Sequence, residues 1–297
     1  MSFLNALPGA IAQGMIWGIM AIGVYITYKL LDIADLTVDG SITTGAAVCA
    51  MLVVSGVNVW VAMFCALLAG MLTGLLTGVF HTFMGIPPIL SGILTQLILW
   101  SVNLKIMGSK ANQGLSARTY SVVLTQLARG KSILMLAIII AVIVLLLYWF
   151  FGTELGCSVR ATGCNLQMSQ AQGINTNFNK ILGLVLSNGI VALSGALLCQ
   201  YQGFADINMG RGAIVIGLAA VIIGEALFGR ITSNFALKLV AVAAGGVVYY
   251  IVYQAVIWMG LDTDLLKMLS ALVVAVFLAV PYWKAKYFAR PKKKGAK

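Results

Sequence analysis

Charge is what this sequence has least of. Charged residues make up 9% of the 297, with 8 acidic residues and a single histidine. A water-soluble domain of this size needs far more charge to cover its surface, so that class is excluded. The scarcity also removes most chemistry. One imidazole, His81, allows no H-E-x-x-H, and the scattered acids give no paired carboxylates suited to a metal. The five cysteines (49, 65, 157, 164 and 199) include no C-x-x-C and read as soft packing residues or reduced thiols. "TQLARGKS", Thr125 to Ser132, ends like a phosphate-binding loop, but Thr125 stands where that loop needs glycine. We therefore expect no cofactor, no ATP site and no enzyme activity in this chain.

What is present is apolar. Hydrophobic residues reach 61%, and the mean hydropathy is +1.01. A bilayer-spanning helix needs roughly 20 apolar residues. Nine runs approach that length: 8–30, 41–56, 59–80, 87–106, 132–151, 180–201, 212–229, 234–258 and 265–283. The start, "MSFLNALPGAIAQG", has no basic segment and no cleavage site, so the first run is expected to stay. The expectation is an all-α polytopic bundle, one membrane domain over 1–283 with a loop at 152–179 and a basic tail at 284–297.

The net charge of +11 does not indicate nucleic acid. Seven of the 19 Lys and Arg lie in the last fourteen residues, where a basic tail suits a cytoplasmic end beside anionic lipid. With that tail inside, nine spans put the N-terminus outside. Lys and Arg then divide 12 inside against 7 outside. Four spans precede the fifth and four follow the 152–179 loop, an inverted 4+1+4 plan common among transporters. "ADLTVDGSITTGAAV" from Ala34 and "ADINMGRGAIVIGLAAV" from Ala205 are its internal echo.

Polar residues at membrane depth are expensive and need a partner, a cavity or a function. Asp39, Ser41, Gln96, Asn103, Ser187 and Asn188 are the candidates for a translocation path. Interhelical bonding is the alternative for Gln96, Asn103 and Asn188. Asp35, Asp39, Asp206 and Arg211 stand at membrane edges among helix-breaking glycines, and helix caps or edge ion pairs are the expected reading for Asp32 and Asp35. Glu225 is expected to pair with Arg230 or a cytoplasmic partner. His81 reads as an interfacial polar residue. In "GMLTGLLTG", Gly70, Gly74 and Gly78 share one face and predict close helix packing.

The loop "CSVRATGCNLQMSQAQGINTNFNK" interrupts the apolar pattern with amides and hydroxyls. On one helix, Cys164, Met168 and Ala171 would form a narrow soft stripe opposite polar side chains. That pattern suits docking into a groove of another protein. A helix lying on lipid would want bulky aromatics opposite Lys or Arg.

From Val159 to Leu198 the sequence resembles the cytoplasmic loop and following span of ABC importer permeases of the branched-chain amino acid and ribose type. Arg160, Ala161, Asn165, Gly173, Ile174, Asn175, Ser187, Gly195 and Ala196 fit that pattern. "MGIPPILSGILTQLIL" is similar to the family's fourth core span, and "ADLTVDGSITTGAAV" to its Asp-Leu-Ser-Val-Gly-Ser segment. The resemblance runs from about Gly14 to Val280. It implies a homodimeric permease in the bacterial inner membrane. Two ATPase subunits would bind inside and an extracytoplasmic solute-binding protein outside. The loop would be the coupling helix, with Arg160, Ala161, Gly163, Asn165, Met168, Ala171, Gly173 and Ile174 at the ATPase contact. The family often has ten spans, and nine here fits the loss of an extra first helix. "LTVDGS" and "IGEALFG" look closest to permeases for tryptophan or tyrosine. Asp39 and Glu225 depart from the sugar-transporting pattern. A sugar or nucleoside permease and an ion-gradient transporter are the alternatives.

Overall fold

The computed structural model describes residues 3–116, 119–229 and 234–258, with isolated positions at 268, 271, 272, 275 and 279. Eight of the nine apolar runs carry helices, and the ninth lies almost wholly outside the described residues. In order they are α1 (Phe3–Tyr25, continued by a π-helical turn Ile26–Leu30), α2 (Val38–Val54), α3 (Val59–Thr82), α4 (Pro88–Ile106) and α5 (Arg129–Gly152). Two short helices follow, α6 (Glu154–Cys164) and α7 (Leu166–Ala171), then α8 (Thr176–Gln202), α9 (Ala213–Phe228) and α10 (Phe235–Trp258). Among the described residues six helical segments are long and apolar enough to cross a membrane, while α2 and α9 are shorter. β1 (Asn112–Gly114) pairs antiparallel with β2 (Phe204–Asp206). This ties the chain after α4 to the chain after α8.

Local chemistry sets the boundaries. Asn58 and Asn175 accept the Trp60 and Phe178 amides with their side-chain oxygens and so start α3 and α8. Pro88 occupies the first position of α4, where its missing N–H costs nothing. Gly203, at φ 83°, ends α8 in the left-handed conformation.

Packing depends on helices without side chains at their contacts. Gly70, Gly74 and Gly78 of α3 lie against the Asn188–Ala192, Leu184–Val185 and Ile181 portions of α8. Gly14 and Gly18 of α1 lie in the same way against Val247, Gly246 and Ala243 of α10. α8 also meets α2, through Gly45 on Ala192 and Gly195 on Ile42, while α1 meets α9 through Gly217 on Met20 and Val24. The expected glycine face of α3 is therefore the contact with α8, and small residues at such contacts let backbones approach closely.

A Cβ on Gly74 would overlap the Leu184 carbonyl, whereas one on Gly130 would meet nothing within 4 Å. Gly74→Ala is expected to destabilise the bundle by about 1–3 kcal/mol, while Gly130→Ala leaves it unchanged or slightly firmer. Thermal unfolding in detergent measures both. Equal midpoints would contradict the close α3–α8 contact.

Candidate functional site

The shorter apolar helices α2 and α9 begin part-way along their longer neighbours. Gly40, in the first turn of α2, packs on Gln96 and Leu99, half-way along the 19-residue α4. The preceding segment, 31–37, climbs from Leu31, which packs on Gly183, to Asp35, which meets Asn188 near the middle of α8. Gly217 of α9 lies level with Met20 and Val24 in α1. Helix starts leave first-turn amides without an intrahelical partner, and α9 takes its acceptor from another helix.

Asp39 supplies it. One carboxylate oxygen accepts the Gly212 amide and the other accepts the Ile214 amide, each at 2.9 Å. A residue of α2 thus caps α9, with a negative group at the positive end of the helix. Behind it, Asp35 accepts the Thr37 amide at 2.9 Å and the Asn188 side-chain N–H at 2.7 Å. Ser41 donates to Asn188 Oδ1 at 2.6 Å and shares a 2.7 Å bond with Thr73. Thr77 links Thr37 to Thr95 at 2.7 and 2.9 Å. The Asp35 side chain is almost wholly buried, at 3% exposure, and every oxygen it carries is used. Asp35 is therefore the anchor of a core network and more than an edge cap. Asp206 repeats its local geometry, accepting the Asn208 amide two residues on at 2.7 Å.

Beside this network lies a cavity of about 270 Å³. Asp39, Gln96, Trp100, Asn103 and Arg211 are among the residues that line it. Gln96, Trp100 and Asn103 come from one face of α4, at i, i+4 and i+7. Asn103 Oδ1 is buried without a hydrogen-bond partner. Of the expected path residues, Asp39, Gln96 and Asn103 share this cavity. Ser41 and Asn188 stand behind it in the buried network, and Ser187 donates to the Gly23 carbonyl at 2.7 Å to join α8 to α1. Trp100 was not among the expected residues, although its spacing from Gln96 was the signal for it.

The polar loop differs from a single helix. Asn165 leaves the helical region at φ −157° and divides it. Cys164 ends α6 and Met168 belongs to the six-residue α7, so the expected Cys164–Met168–Ala171 stripe does not run along one helix. The break arises because Asn165 accepts the Met168 amide at 3.0 Å and starts α7 afresh. Gly163 packs against the Leu30 carbonyl at the end of α1, and Asn179 donates to Ser158 and Thr162, so α6 is held to the bundle. Arg160 lies over the Phe235 ring at 5.4 Å. Ala161, Asn165, Ala171 and Gly173 are exposed, and Ile174 is half-buried. Gly173 takes φ 76° to close α7. Leu166, Met168 and Phe178 present exposed apolar side chains here. Phe178 was missed because it falls where α8 appears simply to begin.

At this same end Lys29 pairs with Glu225 at 3.1 Å. The expected Arg230 lies outside the described residues. "TQLARGKS" is a cap: Ser132 donates to the Thr125 carbonyl at 2.8 Å where α5 begins.

Residues 7–281 match the family described as branched-chain amino acid transport system / permease component. The chain belongs to this permease family. It is 41% identical over 279 residues, 93% of this chain and 91% of the relative, to the tyrosine transport system permease protein of Clostridioides difficile (strain R20291). It is 33% identical over 278 residues, 93% of this chain and 98% of the relative, to an uncharacterized protein of Rickettsia prowazekii (strain Madrid E). The solved structure of PsaBC from Streptococcus pneumoniae in complex with Fab aligns over 99% of this chain and 94% of that one, with TM-score 0.49 and 14% identity. The resemblance noted in the sequence is thus a family membership. The chain is an ABC transporter permease subunit of the branched-chain amino acid and ribose type, a multi-pass membrane protein whose family members are transport subunits.

Asp39→Ala removes the only side-chain acceptor of the Gly212 and Ile214 amides among the described residues. It is expected to cost about 1–2 kcal/mol and to speed amide exchange at 212–214. Asp39→Asn, which keeps one acceptor oxygen, should fall between. Unchanged exchange at those amides in Asp39→Ala would refute the cap.

Proposed function

We propose that this chain forms the translocation path of an ATP-driven importer for a small amino acid, most specifically an aromatic one. The observation that carries this is the cavity with a few polar groups in a largely apolar wall, built where the starts of α2 and α9 meet at Asp39. Sites at the meeting of two broken helices are a recurring transporter plan. The packing supports the inverted repeat. α1 meets α9 and α10 as α8 meets α2 and α3, and the two Ala-Asp echo segments make the same local turn before a short helix. The relative described as a tyrosine transport permease supports the substrate class.

The cavity opens beside Leu97 and Trp100 on the exposed face of α4, where Leu90, Ile93, Leu94 and Ile98 are also uncovered. Polar groups facing hydrocarbon there would be costly. A second copy laid on this face would enclose the path, which supports the homodimer. The α6–α7 end, with Leu166, Met168 and Phe178 around exposed amides, suits the groove of an ATPase on the cytoplasmic side. Two ATPase subunits would supply the ATP hydrolysis. A solute-binding protein would deliver substrate to the opposite end, across a bacterial inner membrane.

The test is a mild-detergent pull-down of the tagged chain from its native membrane, with crosslinking through the exposed Cys164. A stoichiometric soluble subunit bearing a P-loop is expected. Met168→Asp should leave the bundle folded and separate ATP hydrolysis from uptake. A chain that purifies alone, or wild-type uptake in Met168→Asp, would overturn the coupling role and favour gradient-driven transport.

A further inference from the structure

The cavity beside Asp39 is lined by two groups that no other described residue satisfies. The first is the Arg211 guanidinium. Its backbone is fixed: the Arg211 amide donates to Asn208, and the next residue, Gly212, donates to Asp39. Its side chain lines the cavity and has no hydrogen-bond or ion-pair partner among the described residues. Asp39, its neighbour in the same wall, is already committed through both oxygens to the amides of α9. The carboxylate balances a helix end and leaves the guanidinium unbalanced. The second is Asn103 Oδ1, an acceptor on a side chain only 1% exposed, with no donor reaching it.

These two groups ask for opposite things. A guanidinium presents several fixed N–H donors and matches a carboxylate in two-point fashion. A buried amide oxygen asks for a donor. Gln96 and the Thr43 hydroxyl, which line the same wall, add further acceptor capacity near it. Trp100 completes the wall with a large apolar ring. A neutral sugar or nucleoside has hydroxyls for the amides but nothing anionic for the cation. A molecule with a carboxylate at one end, an ammonium at the other and an apolar side group satisfies all three. At about 270 Å³ the cavity lies near the ~300 Å³ lower bound of small-molecule sites.

Resting on the amino-acid reading above, we propose that Arg211 recognises the substrate carboxylate in this cavity. The ammonium then turns toward Asn103 and the side chain toward Trp100. Arg211 becomes the residue that sets the charge of what is accepted. Loss of its charge relaxes selectivity without disturbing the cap on α9, because that cap uses backbone amides.

The test places the permease, assembled with its ATPase partner, in nanodiscs and follows three probes by ligand-observed NMR titration. They are L-tyrosine, tyramine, which lacks the carboxylate, and 3-(4-hydroxyphenyl)propionate, which lacks the ammonium. The wild type is expected to prefer the two carboxylates to tyramine. Arg211→Gln should weaken both carboxylates by about tenfold or more and leave tyramine unchanged. Arg211→Lys, which keeps the charge and loses the two-point fork, should fall between. Asn103→Leu should weaken tyrosine and tyramine and spare the propionate. Thermal unfolding of each variant separates binding from stability. If Arg211→Gln unfolds, the Arg211→Lys ratios decide, and ratios equal to wild type overturn the proposal. Wild-type tyrosine binding with an unaltered tyrosine-to-tyramine ratio in a folded Arg211→Gln overturns the carboxylate role alone. A wild type that binds a neutral sugar or nucleoside and none of the three probes overturns the amino-acid reading beneath it.

Discussion

One carboxylate governs the centre of this protein. Asp39 sits in the first turn of α2 and holds the first amides of α9, two helices separated by 173 and 175 residues in its bonds. Both helices start part-way along their longer neighbours, and the first amides of a helix have no partner within it. Such amides call for an acceptor from outside the helix. Asp39 provides it across the two halves of the chain, so the same bond that satisfies α9 also fixes α2 against it. The cavity is the space left over beside that junction.

The network behind Asp39 makes the junction stiff. Asp35, Asn188, Ser41 and Thr73 connect the climbing segment, α8, α2 and α3 through bonds of 2.6 to 2.9 Å. Each member is buried, and removing one would strand the others at a cost of about 1–3 kcal/mol per orphaned group. Such networks are sustainable when every donor and acceptor is used. Against that background Arg211 and Asn103 Oδ1 on the cavity wall differ, because neither has a side-chain partner among the described residues.

How much of this could be read in the chain before folding follows from the range of each interaction. Eight of the apolar runs became helices because hydropathy acts locally and the backbone must satisfy itself. The glycine face of Gly70, Gly74 and Gly78 was legible because a four-residue spacing fixes a helix face. The family was legible because the polar loop is distinctive. The break at Asn165 was missed: the amide's preference for capping the next turn overrode the continuing helical pattern around it. Lys29 with Glu225, Arg211 beside Asp39 and the grouping of Gln96 with Arg211 all bring together residues far apart in sequence, and no local pattern marks such partners. The same limit applies to Ser41, Ser187 and Asn188. Their burial could be anticipated from the cost of polar groups at depth, but whether each faced a cavity or a neighbouring helix was decided by packing.

The glycine contacts have a mechanical meaning. Where α3 meets α8 and α1 meets α10, glycines bring backbone close to backbone, beside side-chain contacts such as the stacked Trp17 and Tyr250 rings. Interdigitated cores resist displacement because every side chain must change rotamer to let its neighbour by. Bare backbone surfaces have no such teeth. Contacts of that kind offer less steric resistance to small shear displacements than interlocked side chains do. The Lys29–Glu225 pair, with side chains 49% and 39% exposed, adds only ~1 kcal/mol or less of restraint at the α6–α7 end. The stiff junction at Asp39 and the glycine contacts flanking it differ in the resistance they offer to such displacement.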